Sequence, residues 1–331
     1  MANAAPLIDG FGRRISYVRL SVTDRCDLRC RYCMAENMTF LPRDRILSFA
    51  EIEQLSDILI RRGVRKIRLT GGEPLVRRGI LDLVAALGTR LGQGLDELTL
   101  TTNATQLAAA ASALFESGIR RINVSLDSLD AARFAMITRR GRLDQVLVGI
   151  AAAKAAGLRL KINMVVLKGL NDDEIVPMMR WCAGEGHDLT LIETMPLGTI
   201  DEDRADRYVP LDAVKADLQA RFTLTPSITR TGGPARYFDV AGLELQLGLI
   251  TPLTNNFCSG CNRIRITATG TVFGCLGHDD KVELRGLLRR GGAARVEAAL
   301  DALLVAKPKR HAFDIAAAAP AVARHMSVTG G

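Results

Sequence analysis

The chain has 331 residues, 48% hydrophobic and 24% charged, with 44 Lys and Arg against 36 Asp and Glu for a net charge of +8. That is enough apolar material for one wide core, or for a barrel with an appended module. With no run of 18 uncharged apolar residues, no membrane span is expected, and Met1–Pro6 lacks the basic and apolar stretches expected of a secretory leader.

Strand-like and helix-like segments alternate from residue 15 to about 194. Ile15–Val22 reads as a strand, and Phe49–Arg62 as a helix with Ser48 as N-cap and Glu51 three residues on. Lys66–Thr70 is a strand ending in Gly71-Gly72, and Gly79–Leu91 is helical. Glu97–Thr101 is a strand, Gln106–Glu116 a helix and Arg121–Leu126 a strand. Leu143–Ala156 is a helix closed by Gly157, Arg159–Leu167 a strand, Asp172–Ala183 a helix and Asp188–Glu193 a strand. About six β/α units of this kind predict an α/β fold with parallel strands, and six are too few to close an eight-stranded barrel. The expectation is a partial, open β/α barrel over residues 1–200 with a smaller C-terminal α+β module over 201–331. Polar residues gather at the strand C-termini, where parallel α/β folds bind ligands: Thr70–Glu73, Thr101–Asn103, Ser125–Asp127, Lys161–Asn163 and Glu193–Met195.

Beyond residue 200 the pattern becomes a charged loop at Asp201–Arg207 and a helix at Leu211–Arg221. Shorter strands follow at Arg236–Val240, Leu243–Leu249, Arg263–Ala268 and Thr271–Cys275, with a turn at Thr269-Gly270. Two helical stretches, Val282–Arg290 and Ala293–Leu304, precede the end. The basic charge comes with only 5% aromatic residues and no aromatic-rich basic run of the kind that stacks bases. A phosphorylated small molecule is therefore favoured over nucleic acid, with a solvated basic surface as the plain alternative.

Six of the seven cysteines fall into two triplets. Cys26, Cys30 and Cys33 are spaced C-x3-C-x2-C, directly after the first strand, and Cys258, Cys261 and Cys275 are spaced C-x2-C-x13-C. An odd total and tight spacing suit metal rather than a disulfide framework, and hence a reducing compartment such as the cytoplasm. A [4Fe–4S] cluster usually takes four thiolates, so three leave one iron open for another molecule. A structural zinc site also wants four ligands, and none is nearby in the first triplet. In the second, His278 lies three residues after Cys275 and is a possible fourth ligand. Cys182 beside Trp181 reads as a small core residue.

The first triplet, with Tyr32 before its last cysteine, resembles the radical S-adenosylmethionine family. Gly71-Gly72-Glu73-Pro74, Ser125 with Asp127, and Met195 match further positions of that family. The resemblance implies that Cys26, Cys30 and Cys33 hold a [4Fe–4S] cluster and that Tyr32, Gly72, Ser125 and Met195 bind S-adenosylmethionine. One-electron cleavage of that cofactor would yield a 5′-deoxyadenosyl radical that takes hydrogen from the substrate.

The second triplet, followed by Asn262-Arg263-Ile264-Arg265, resembles the branch of the family that acts on GTP at the entry to molybdenum cofactor biosynthesis. The likeness runs from about residue 11 to the end of the chain and includes Phe11-Gly12-Arg13, Arg68-Leu69-Thr70, Lys161-Ile162-Asn163 and Gly330-Gly331. It implies a second [4Fe–4S] cluster on Cys258, Cys261 and Cys275 whose open iron binds the guanine. It implies GTP contacts from Arg19, Arg68, Thr101, Lys161, Arg263, Ile264 and Arg265, and catalytic roles for Arg263, Arg265, Gly330 and Gly331. Implied partners are a reductase or flavodoxin-type electron donor and, downstream, cyclic pyranopterin monophosphate synthase, with the enzyme a monomer or homodimer. The spacing of Arg263 and Arg265 supports one part independently, since residues two apart on a strand share a face. One departure stands out: Ala104 follows Thr-Thr-Asn where this branch usually has glycine. Two other readings remain at this point, a peptide-modifying enzyme of the same family and a non-catalytic two-cluster or zinc protein.

Overall fold

The computed structural model describes residues 5–200, 204–317 and 319–330. Its strands, in chain order, are β1 (Tyr17–Ser21), β2 (Lys66–Thr70), β3 (Glu97–Thr102), β4 (Arg121–Ser125), β5 (Arg159–Val165) and β6 (Asp188–Ile192). Then come β7 (Leu224–Pro226), β8 (Arg236–Val240), β9 (Gln246–Ile250), β10 (Arg263–Ile266), β11 (Thr271–Phe273) and β12 (Lys281–Glu283). The helices are α1 (Phe49–Arg61), α2 (Ile80–Gly88), α3 (Leu107–Glu116), α4 (Ala131–Thr138), α5 (Leu143–Ala155), α6 (Ile175–Glu185), α7 (Arg204–Arg207), α8 (Leu211–Gln219), α9 (Arg285–Arg290), α10 (Gly292–Val305) and α11 (Met326–Thr329).

All the described strands join one open sheet, ordered β12-β11-β10-β1-β2-β3-β4-β5-β6-β9-β8-β7. β1 to β6 are parallel neighbours in sequence order, as the β/α alternation predicts. The strands beyond residue 200 divide between the two edges: β9 pairs in parallel with β6, and β10 in parallel with β1. Antiparallel ribbons then finish each edge.

Period-2 alternation separates the two faces. Val18, Leu20, Ile67, Leu69, Leu98, Leu100, Ile122 and Val124 are buried in one continuous apolar core shared with α1, α2, α3 and α5. The residues between them carry the polar side chains to the other, concave face. Burying a leucine-sized side chain contributes about 1.5–3 kcal/mol, so a one-residue register slip, which would exchange the two faces, is strongly disfavoured. α1 begins with the expected capping box: the Ser48 hydroxyl accepts from Glu51 N–H at 3.2 Å, and the Glu51 carboxylate accepts from Ser48 N–H at 2.7 Å. Cys182 is fully buried in the core.

Several local readings change. α4, capped by the Asp130 side chain on Arg133 N–H, lies where no element was expected. Arg204–Arg207 is a short helix rather than loop. β7 was unanticipated. Val282 belongs to a strand, because it pairs with Val272 across an antiparallel ribbon, and helix starts only at Arg285.

Candidate functional site: two joined cavities over two cysteine triplets

The loop after β1 carries the first triplet over the C-terminal ends of the strands. Gly71 and Gly72 let that loop lie directly on the end of β2. Gly72 N–H donates to Thr23 carbonyl at 2.9 Å and Glu73 N–H to Arg25 carbonyl at 2.8 Å. A Cβ on Gly71 would sit 2.6 Å from the Thr23 oxygen, and one on Gly72 would overlap the Arg25 carbonyl. Glu73 is the lock of this corner. Its carboxylate accepts from Leu75 N–H, Thr102 hydroxyl and Asn103 N–H at 2.9, 2.8 and 2.6 Å. Burial pushes Glu73 up to about 7 against those three hydrogen bonds.

The cavity under this corner has Cys26, Cys30 and Cys33 on one wall and Gly72, Ser125 and Met195 among the others. Tyr32 also lines it and donates from its hydroxyl to Asp127 at 2.8 Å. Asp127 in turn accepts from Val165 N–H at 2.9 Å, and burial raises it to about 6. Burial pushes all three thiols up, Cys33 to about 11 against the N–H of Ser327, and acidic neighbours add to the effect on Cys26 and Cys30. Among the described residues no three His, Cys, Asp or Glu side chains converge as ligands of a single metal ion do. Three thiols around one cavity fit a cluster, which spreads its ligands over several irons. The buried hydroxyls of Thr70 and Ser327 on this wall have no hydrogen-bond partner among the described residues.

The second cavity adjoins the first; Asn163, Ile192, Met195 and Met326 belong to both linings. Cys258, Cys261 and Cys275 stand at one end of it. Among the described residues six cationic side chains line it: Arg19, Lys66, Arg68, Lys161, Arg263 and Arg265. Strand register explains the concentration. Arg265, Arg19 and Arg68 stand side by side on β10, β1 and β2, and Arg263, Tyr17 and Lys66 form the neighbouring row.

Adjacent strands are about 5 Å apart, and two like charges at that distance repel by roughly 3 kcal/mol at an effective dielectric of 20. Burial, reinforced by the neighbouring cations, lowers Lys161 to about 7, Lys66 to about 8 and Arg19 to about 10, and moves Arg265 well down. Tyr17 goes the other way for an acid: burial would raise it, but Arg68, Arg19, Lys66 and Arg263 together bring it down to about 7. Its oxygen accepts from Arg68 Nε at 2.8 Å, and a second Arg68 nitrogen donates to Thr101 Oγ1 at 3.1 Å. Lys161 donates to the Tyr237 hydroxyl. At the triplet, burial would raise Cys261, but Arg263 and Lys307 outweigh it and lower the thiol.

The C-terminal segment runs between the cavities. Met326 lines both, and Ser327 and Thr329 are buried. Arg265 donates to the carbonyls of Thr329, at 3.3 Å, and Gly330. Gly330 has φ +78°, and a Cβ there would collide with the Thr70 side chain. Gly331, the other half of the expected tail, lies outside the described residues.

Most of the expected residues thus meet at the two cavities, with three differences. Ile264 alternates onto the opposite face of β10 from Arg263 and Arg265 and is packed in the apolar core, so its side chain is not part of the lining. Thr101 sits on the wall of the first cavity and reaches the second only through Arg68. The His278 ring pairs with the Arg310 carbonyl at 3.1 Å. Glu193, noted for its place at a strand end, uses its carboxylate on the N–H groups of Leu211 and Leu253 and ties β6 to the later chain. Ala104 does take the left-handed conformation, φ +64°, that glycine would adopt freely. Tyr17, Lys66 and Tyr237 were missed. The signal for the first two was available, since each precedes an expected arginine by two residues on its strand.

The chain resembles known proteins along most of its length. Residues 20–182 match the Radical SAM superfamily and residues 187–313 match Molybdenum Cofactor Synthesis C. A protein of Erythrobacter litoralis named GTP 3′,8-cyclase is 59% identical over 330 residues, covering 99% of this chain and 99% of the relative. One of the same name from Rhizobium etli is 56% identical over 333 residues, covering 100% and 96%. Among solved structures, SuiB of Streptococcus suis bound to S-adenosylmethionine superposes with a TM-score of 0.58 at 15% identity, over 85% of this chain and 65% of that one, a likeness of fold.

Proposed function

The chain belongs to the GTP 3′,8-cyclase family of radical S-adenosylmethionine enzymes, and on that premise we propose how its two cavities share the reaction. The reaction is the conversion of GTP to (8S)-3′,8-cyclo-7,8-dihydroguanosine 5′-triphosphate, the first step of molybdenum cofactor biosynthesis. A [4Fe–4S] cluster and S-adenosylmethionine supply the radical that removes hydrogen from the ribose.

Cys26, Cys30 and Cys33 would hold that cluster, with Gly72, Ser125, Tyr32 and Met195 forming the walls against which S-adenosylmethionine is oriented. Cys258, Cys261 and Cys275 would hold a second [4Fe–4S] cluster, whose remaining position would take the guanine. Arg19, Arg68, Lys161, Arg263 and Arg265 would bind the triphosphate. Guanidinium forks match phosphate oxygens, and an anion relieves the repulsion among cations that burial has already stripped of water. Gly330, held by Arg265 against Thr70, would close the space beside the nucleotide and exclude water.

One observation carries this division: a cavity lined by six cations shares Asn163, Ile192, Met195 and Met326 with a cavity lined by the first three cysteines. That adjacency brings a polyanionic substrate beside the source of the radical, a positioning contribution that ring closure requires.

The test is anaerobic reconstitution with iron and sulfide, followed by S-adenosylmethionine, a reductant and GTP. The expected products are 5′-deoxyadenosine and the cyclised nucleotide, with about eight irons per chain for two clusters of four. A preparation with four irons that still makes both products would remove the second cluster from the reading. Formation of neither product by a fully loaded protein would overturn the whole of it.

A further inference from the structure

Each cysteine of the second triplet is attended by a different cation, delivered from a different part of the chain. Arg13, paired with Asp9 at 2.6 Å, donates to the carbonyl of Cys258 at 2.8 Å and to that of Pro308 at 2.8 Å. Arg324, stacked over Phe273, donates to the carbonyls of Leu276 at 2.5 Å, His278 at 2.6 Å and Cys275 at 3.3 Å. Both hold backbone. Lys307 does something else: its Nζ donates to the Gly274 carbonyl at 2.6 Å and lies 3.6 Å from the sulfur of Cys261.

Lys307 is 2% exposed, and among the described residues no carboxylate pairs with it. A lysine is almost never fully buried without an anion, because taking an ammonium out of water costs several kcal/mol. Here the candidate anion within reach is a thiolate. Gly274 is built for the approach, since a Cβ on it would press on the Lys307 stem at 3.3 and 3.4 Å.

We propose that Lys307 is a positioning residue of the second triplet, whose ammonium fixes the Cys261 sulfur and raises the reduction potential of the cluster held there. The proposal rests on the two-cluster reading given above. A fixed positive charge beside a cluster sulfur favours the more negative, reduced state, and hydrogen bonds to the sulfurs together with net charge set such potentials. The charge acts across a few ångströms of low-dielectric interior, where little water screens it.

The test uses the full chain carrying Cys26→Ala, Cys30→Ala and Cys33→Ala, so that any iron belongs to the second triplet. This parent is reconstituted anaerobically, its iron is counted, and its midpoint potential is measured by electron paramagnetic resonance titration. Lys307→Met and Lys307→Arg are compared with it. Expected are about four irons in the parent, a more negative potential or lost iron in Lys307→Met, and values near the parent in Lys307→Arg. A Lys307→Met chain matching the parent in both iron and potential overturns the proposal. So does a Lys307→Arg chain that falls with Lys307→Met, which would make packing rather than charge the cause. A parent without iron instead overturns the two-cluster reading, and the proposal with it.

Discussion

The two cysteine triplets have opposite surroundings. Around Cys26, Cys30 and Cys33 stand Asp27, Glu73 and Asp127, and burial, with these carboxylates adding to it, pushes every thiol there up, Arg204 opposing it only at Cys33. Around Cys258, Cys261 and Cys275 stand Arg263, Lys307 and, farther along the cavity, Arg19 and Arg265; against burial, Arg263 and Lys307 draw the Cys261 thiol down, although burial still raises Cys275. The difference follows the charge of the molecules assigned to them: a sulfonium with an amino group on one side, a triphosphate on the other. On the proposed reading, the residues that surround two three-cysteine sites of similar composition set their different tasks.

The sharpest way to break this comparison is to remove one cysteine from each triplet. Cys30→Ala should abolish both 5′-deoxyadenosine and cyclised nucleotide. Cys275→Ala should leave 5′-deoxyadenosine formation measurable while lowering GTP conversion by about 100-fold or more, the scale of a lost positioning interaction. Equal behaviour of the two variants in a product assay would erase the division.

Next in size is Arg265→Met. Charge-assisted hydrogen bonds contribute about 1.5–3 kcal/mol, so GTP should bind roughly 10- to 100-fold more weakly while S-adenosylmethionine affinity stays near normal. Parallel titrations with the two ligands check this, and a matched loss for both would mean that the cavities are not separable.

A smaller effect is expected from pH. Burial and the neighbouring cations bring Lys161 down to about 7, and a bound triphosphate would favour its charged form and so raise that value. Binding therefore takes up a proton above about pH 7, and GTP affinity should fall as pH rises from there towards the bound-state value. Lys161→Met should flatten that slope in calorimetric titrations at pH 6.5 to 8.5. An unchanged slope would assign the proton uptake to another group.

Smallest is Ala104→Gly, at a position buried in the core beside Asn103 of the first cavity's wall. Glycine would relieve roughly 1–2 kcal/mol of left-handed strain but give up about 0.8 kcal/mol of buried methyl and some chain entropy. The melting temperature should move by no more than a few degrees.

What could be read from the residues alone was whatever has a short period or a fixed spacing. The cysteine triplets, the six β/α units and the Ser48 capping box are of this kind. So was the shared face of Arg263 and Arg265, although Ile264 between them was carried along as a contact when alternation already placed it on the other side. The hidden part depends on distant chain meeting distant chain. Nothing local in Arg13, Lys307 or Arg324 indicates that the three converge on one triplet. Likewise, nothing in the segments after residue 200 shows that they divide between opposite edges of the sheet. Val282 looked helical because its partner, Val272, lies across a turn that periodicity does not see.

That division of strands has a consequence for biosynthesis. β1 must pair with β10, Tyr17 beside Arg263, a separation of 263 − 17 = 246 residues. At about 5–20 residues per second, a ribosome takes roughly 10–50 s to supply that partner after β1 has emerged. Throughout that interval β1 is an unprotected edge, open to mispairing, and contact order this high slows the final docking. The first triplet is translated long before the second, and the second cavity, whose lining draws on β1, β2, β10 and Met326, gains its full wall only near the end of synthesis.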